Sequence, residues 1–226
     1  MSLFDSSIFV EVSTTVIFVL TLLLAVFLTR DYAKNKKSST FLWSIGLWLF
    51  ALGVALEVVF ASGTYSELLI ALYLFVVASL VNALALGSVQ LVHTKWMKQS
   101  YYVYSIVTLA ILAFSLSFYN IGNLVENYVV VGLPPIITII ASSIVTIPAS
   151  AILIWIAAIS YLRTRSIKMI SIIAGVIVVS LAGGLYITSF PAFLYYSEFI
   201  GIILLWLGFF RFDRVKSRLS SKLSTK

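Results

Sequence analysis

Seven stretches, each of about 20 residues and apolar on every face, limit what this chain can become more than any other feature of its sequence. Runs such as VIFVLTLLLAVFL at 16–28 and AILIWIAAI at 151–159 lack the alternation of apolar and polar residues that a membrane-barrel strand needs. A helix satisfies its backbone hydrogen bonds internally, so helices are the form in which such runs sit in hydrocarbon. The stretches lie near 8–29, 41–61, 68–92, 101–118, 136–162, 169–188 and 192–210. With 62% hydrophobic and 10% charged residues, the chain is also well above the roughly 45–50% apolar content of soluble domains. The sequence therefore predicts an all-α integral membrane protein, a polytopic seven-transmembrane-helix bundle over 1–212 followed by a basic tail at 213–226.

The placement of charge is an independent check on the count of seven. All 15 Lys and Arg residues fall on one side: Arg30, Lys34, Lys36 and Lys37 after the first span, Lys95 and Lys98 after the third, Arg163, Arg165 and Lys168 after the fifth, and six from Arg211 to Lys226 after the seventh. Cytoplasmic loops retain Lys and Arg, so the N-terminus is expected outside and the C-terminus inside the cell membrane. A missed or invented span would have scrambled this pattern. The net charge of +7 then belongs to the cytoplasmic face, where each basic residue adds about 1 kcal/mol of attraction to anionic lipid. Loops this short hold no recognisable nucleic-acid-binding fold, and no nucleic-acid partner is expected. In the tail, Val215, Leu219 and Leu223 recur every four residues between basic ones, a spacing that suits a short helix on the inner leaflet, with a solvated tail as the alternative. The opening MSLFDSSIF has no basic n-region and no clear cleavage site, so the first span is expected to be retained. With no cysteine, disulfides and thiolate chemistry are excluded.

Only three formally charged side chains fall inside the spans, and all are acids: Glu11, Glu57 and Glu198. At 1.5 Å of rise per residue, Glu57 lies about 6 Å and Glu198 about 9 Å below the outer ends of their helices, and Glu11 is about 4 Å in. Near the interface the cost of such a charge is modest, so carboxylates reaching headgroups or bonded to a neighbouring hydroxyl are one reading. The other is a shared, outward-open polar pocket, which Asn82, Tyr186 and Tyr195 or Tyr196 could line. No basic residue on that side pairs with the acids, and if Glu57 and Glu198 converge they form a candidate proton or cation site. Asn82 is the deepest strongly polar side chain, and an interhelical hydrogen bond competes with a ligand-binding role there. Ser142, Ser143 and Thr146 precede Pro148, which is expected to kink the fifth helix, and their hydroxyls are placed to satisfy the carbonyl released at the kink. The single histidine, His93, excludes a bis-histidine haem and a histidine-rich metal site within the chain, and no phosphate-binding, dinucleotide or hydrolase motif is present. No cofactor is expected, and no enzymatic activity.

The first three and last three spans share an orientation, and Leu-Gly pairs end both sets, at Leu86-Gly87 and Leu207-Gly208. Laying Gly46 on Gly175 matches SIGLWLFALG with IAGVIVVSLA and sets Glu57 opposite Tyr186. A 3+1+3 arrangement of parallel repeats, as in some transporters, is therefore one possible plan, and chance likeness between hydrophobic helices is the other. Ser180 and Gly184 are read as a close-packing pair on the sixth helix, with a backbone that a ligand approaches as the alternative. Trp43, Tyr101, Tyr102 and Tyr104, at segment ends, read as interfacial anchors.

Seven helices in this orientation resemble the microbial rhodopsins, but SEFIGIILLWLGFF at 197–210 has no lysine for a retinal Schiff base. The 3+1+3 plan is similar to that of the SWEET sugar transporters, without their proline-glutamine loop motif. LWSIGLWLFALGVALE at 42–57, ALYLFVVASLVNALALGSVQLV at 71–92 and SEFIGIILLWLGFF together resemble a set of uncharacterised prokaryotic seven-helix membrane proteins, which implies a shared architecture and no particular activity. The expected function is that of a multi-pass membrane protein that binds or transports a small ligand, proton or cation through an outward-facing acidic pocket of Glu57, Glu198, Asn82 and Tyr186. The alternative is an accessory or scaffold subunit of a membrane complex without transport activity. Expected partners are the lipid bilayer, anionic lipids at the cytoplasmic face, and a membrane protein or a second copy of the chain.

Overall fold

A computed structural model describes residues 7–64, 66–92, 94–118, 124–126, 129–130, 134–165, 170–172, 174–175, 177–178 and 191–209. His93, Tyr186, the Ser180 and Gly184 pair and the basic tail lie outside the described residues. The described residues are helical apart from short connections and one small antiparallel pair. In chain order they form α1 (Ser7–Asn35), α2 (Ser38–Ala61), α3 (Glu67–Val89), α4 (Lys95–Phe118), α5 (Ile136–Thr164), α6, helical at its described residues within 170–178, and α7 (Pro191–Phe209). Between α4 and α5, β1 (Val125–Glu126) pairs with β2 (Val129–Val130). Five of the helices, α1 to α5, are long and apolar enough to cross a membrane, which makes this a membrane protein.

Several helices run past the predicted spans. α1 continues to Asn35 rather than ending at 29, and α4 begins at Lys95 rather than at 101. The extra turns carry Arg30, Asp31, Lys34, Lys95 and Lys98, charged residues that lower hydropathy while the helical backbone bonding continues through them. Hydropathy marks where the oil ends, and helical hydrogen bonding has no reason to stop there.

The α2–α3 hairpin is set by local chemistry. Gly63 takes φ +81°, a left-handed backbone that only glycine adopts without penalty, and its N–H bonds Phe60 O at 2.9 Å to close α2. Ser66 then caps α3, its hydroxyl accepting from Leu69 N–H at 3.3 Å, with Glu67 in the first turn where the helix dipole favours an acid. The turn leaves α2 and α3 packed side by side, and α1 lies against α2. α3 also packs on α5 and α4, and α7 packs on α1.

Hydrocarbon gives helices no hydrophobic reason to associate, so close approach and hydrogen bonds hold this bundle. A Cβ added at Gly87 would stand 2.4 Å from Trp43 Cδ1 and 3.0 Å from Ser39 O, so α2 and α3 touch there only because the side chain is missing. Trp43 Nε1 donates to Ser88 Oγ at 3.2 Å beside that contact. Higher on the same interface, a Cβ at Gly46 would meet Leu84 Cδ2 at 2.8 Å and Leu80 O at 3.3 Å. The interface of α6 with α7 is built alike. A Cβ at Gly175 would meet Gly201 O at 3.3 Å and Leu205 Cγ at 3.3 Å, and Ser171 Oγ donates to Leu204 O at 2.6 Å. The first and last helices are joined by Trp206 Nε1, which donates to Leu20 O at 3.1 Å.

α5 contains Pro148, which has no N–H to give to the carbonyl of Ile144 one turn earlier. That carbonyl accepts instead from Tyr104 Oη of α4 at 2.6 Å. The sequence assigned this task to the hydroxyls upstream in α5. Thr146 Oγ1, however, bonds Ser142 O at 2.9 Å, so the neighbouring helix fills the gap. Tyr104 is thereby a bolt between α4 and α5 rather than an interfacial anchor alone.

Candidate functional site

Glu57 sits four residues before the end of α2 and Tyr73 six residues into α3, so the tight turn at Gly63 brings them to similar depth, about 6 Å and 9 Å from the hairpin end. Tyr73 Oη donates to Glu57 Oε1 at 2.7 Å. The tyrosine ring is steered by an edge-on contact with Phe60, centroids 5.8 Å apart. Glu198, in the second turn of α7, comes within side-chain hydrogen-bonding reach of Glu57. Tyr195, one turn before it and buried, lies close enough to both carboxyl groups to feel their charge.

Both acids are enclosed by protein: Glu57 is 5% exposed and Glu198 7%. The second oxygen of each, Glu57 Oε2 and Glu198 Oε2, has no hydrogen-bond partner among the described residues. No Lys, Arg or His acts on either carboxyl group among the described residues. Two acids that lie 141 positions apart in sequence thus face one another with tyrosines beside them and, among the described residues, no neutralising base.

Of the other predicted site residues, Tyr195 stands beside the pair and Asn82 does not join it. Asn82 is buried, but its Nδ2 donates to Ser105 Oγ and its Oδ1 accepts from Tyr101 Oη at 3.2 Å, both on α4. Tyr73 and Asn82 are nine residues apart on one helix, which is half a turn about the axis and about 13 Å along it, so they face opposite ways. Asn82 spends its bonding capacity on holding α3 to α4, as Ser115 and Thr138 do for α4 and α5 across 3.0 Å. Tyr186 lies outside the described residues, and Glu11 is exposed on α1.

No family model matches the chain, and neither a curated protein nor a solved structure is similar to it at a significant level. The geometry of the site is therefore the ground on which a function must stand.

Sequence reasoning missed Tyr73. The signal was present in the hairpin: with Gly63 marking the turn, residues at equal depth on α2 and α3 fall opposite each other, and Tyr73 is the hydroxyl nearest the level of Glu57. Among the described residues, no group of three or more His, Cys, Asp or Glu side chains is arranged to hold a metal ion.

Proposed function

We propose that this chain is a non-enzymatic multi-pass protein of the cell membrane, N-terminus outside and C-terminus inside, that binds or moves a small ligand, proton or cation at a site built on Glu57 and Glu198. One observation carries the reading: two buried acids from opposite halves of the chain meet with no base beside them among the described residues. Burying a carboxyl group costs several kcal/mol unless something compensates, and close packing at small residues, of the kind seen at Gly46, Gly87 and Gly175, joins helices without that cost. An arrangement that is dear to fold and has unfilled acceptor oxygens is what a binding site for a proton or a cation requires.

The same reading divides the bundle into α1–α3 and α5–α7 with α4 between them. Supporting this 3+1+3 plan, the register that lays Leu86-Gly87 on Leu207-Gly208 also carries Leu80 and Leu84 onto Gly201 and Leu205. Those are the residues against which Gly46 and its counterpart Gly175 pack, each with a carbonyl oxygen at 3.3 Å. The cross-contacts, α3 on α5 and α7 on α1, are also those that exchange of two three-helix units would interconvert. In this plan Glu57 and Tyr73 come from the first half and Glu198 and Tyr195 from the second, so the site lies on the seam, where repeat transporters place theirs.

Flux of protons and alkali cations into proteoliposomes tests the reading. The purified chain should conduct or exchange at least one of them, and the Glu57→Gln/Glu198→Gln double variant should lose at least ten-fold of that rate, about 1.4 kcal/mol in barrier. Flux equal to that of the double variant, with both proteins folded, sinks it.

A further inference from the structure

The occupant of the Glu57 and Glu198 site follows from a count of hydrogens. An ionised carboxylate only accepts, so two carboxyl groups within hydrogen-bonding reach have a bond between them only while one carries a proton. Neither tyrosine supplies that hydrogen: Tyr73 already donates its own to Glu57 Oε1 at 2.7 Å, and the side-chain bonds of the two carboxyl groups run to Tyr73 and to each other, not to Tyr195. The titratable groups facing the pair are Tyr73 from α3 and Tyr195 from α7, and among the described residues no cation faces it from any helix. Glu11, on α1, is exposed. The two bare oxygens, Glu57 Oε2 and Glu198 Oε2, show that the pair has acceptor capacity to spare and lacks hydrogens.

We propose that Glu57 and Glu198 share one exchangeable proton, that this proton is the ligand of the site, and that it clasps α2 to α7. The inference rests on the reading of the acid pair as a binding site and narrows it from small ligands in general to one. In the clasped state the O–H of one carboxyl group bridges to an oxygen of the other. On release that O–H bond breaks, the proton passes to water, and the pair gains one negative charge. Two carboxylates then oppose each other in a medium of low dielectric, where like charges repel strongly, and the contact of α2 with α7 opens. Proton loss and separation of the two helices are thus one event.

Infrared difference spectra of the full chain in liposomes, taken in light and heavy water, test the proposal. The wild type should show the carbonyl band of a protonated carboxyl group near neutral pH, shifted in heavy water and lost on alkaline titration. Because one proton is shared, Glu57→Gln and Glu198→Gln should each abolish the band, since the remaining carboxylate accepts from the new amide. Two independently protonated acids would leave about half of the band in each single variant, and that result overturns sharing. A folded wild type without a band overturns the proton as ligand. Since the chain has no cysteine, spin labels at Ser62→Cys and Ile200→Cys report the helices alone, and their separation should lengthen with pH in the wild type and stay fixed in the double variant. An unchanging wild-type distance overturns the clasp. Flux lost in the double variant without a wild-type band would retain the site and reject the proton, whereas the expected band without flux would retain the proton and reject transport.

Discussion

At the scale of single residues, the bundle is specified by what is missing as much as by what is present. Gly87 lets Trp43 lie against α3, and Gly87→Ala should cost about 1–3 kcal/mol because the new methyl group meets an indole wedged beside Ser39 O. Gly53→Ala is the control: a Cβ there meets Val76 and Val77 at 3.8 Å, ordinary contact distance, and the variant should unfold in detergent within about 0.5 kcal/mol of wild type. Equal losses from both substitutions would mean that backbone propensity, not close approach, sets the cost. Tyr104 shows the converse. Tyr104→Phe strips the donor from Ile144 O and should cost about 1 kcal/mol, whereas in a Pro148→Ala background the restored N–H of residue 148 satisfies that carbonyl and the same change should cost close to nothing. A double-mutant cycle on thermal or denaturant unfolding reads the difference.

At the scale of elements, helix number and type were legible in the sequence because a run of about 20 apolar residues permits no other fold in lipid. Helix ends were less so, since α1 and α4 extend through charged turns that hydropathy does not register. Glu57 and Glu198 stood out as acids in apolar runs, and structure adds that they meet. Asn82 stood out for the same reason yet belongs to α4's interface, because polarity reveals that a side chain needs a partner without saying on which side the partner lies. Tyr73 went unnoticed, its aromatic ring reading as one more apolar residue in ALYLFVVASL. Asn82→Leu, which keeps the branched shape and removes both bonds, should loosen α3 from α4 by about 0.6–2 kcal/mol while leaving any flux through the Glu57 and Glu198 site unchanged. A flux loss as large as that of the acid variants would return Asn82 to the site.

At the scale of the whole molecule, the orientation is open to direct measurement in a chain that carries no cysteine of its own. Ser62→Cys, in the α2–α3 turn, should react with a membrane-impermeant thiol reagent on intact cells, and Lys95→Cys, at the start of α4, only after the membrane is breached. Reversed labelling would overturn the N-out arrangement. The bond from Trp206 to Leu20 bears on how the protein is made. Its two partners are 186 residues apart, so at about 5–20 residues per second α1 waits roughly 10–40 s in the membrane before the helix that completes its packing is synthesised. For that interval the newborn chain is a bundle with one side open, and whatever attends its insertion must shield that side until the last helix arrives.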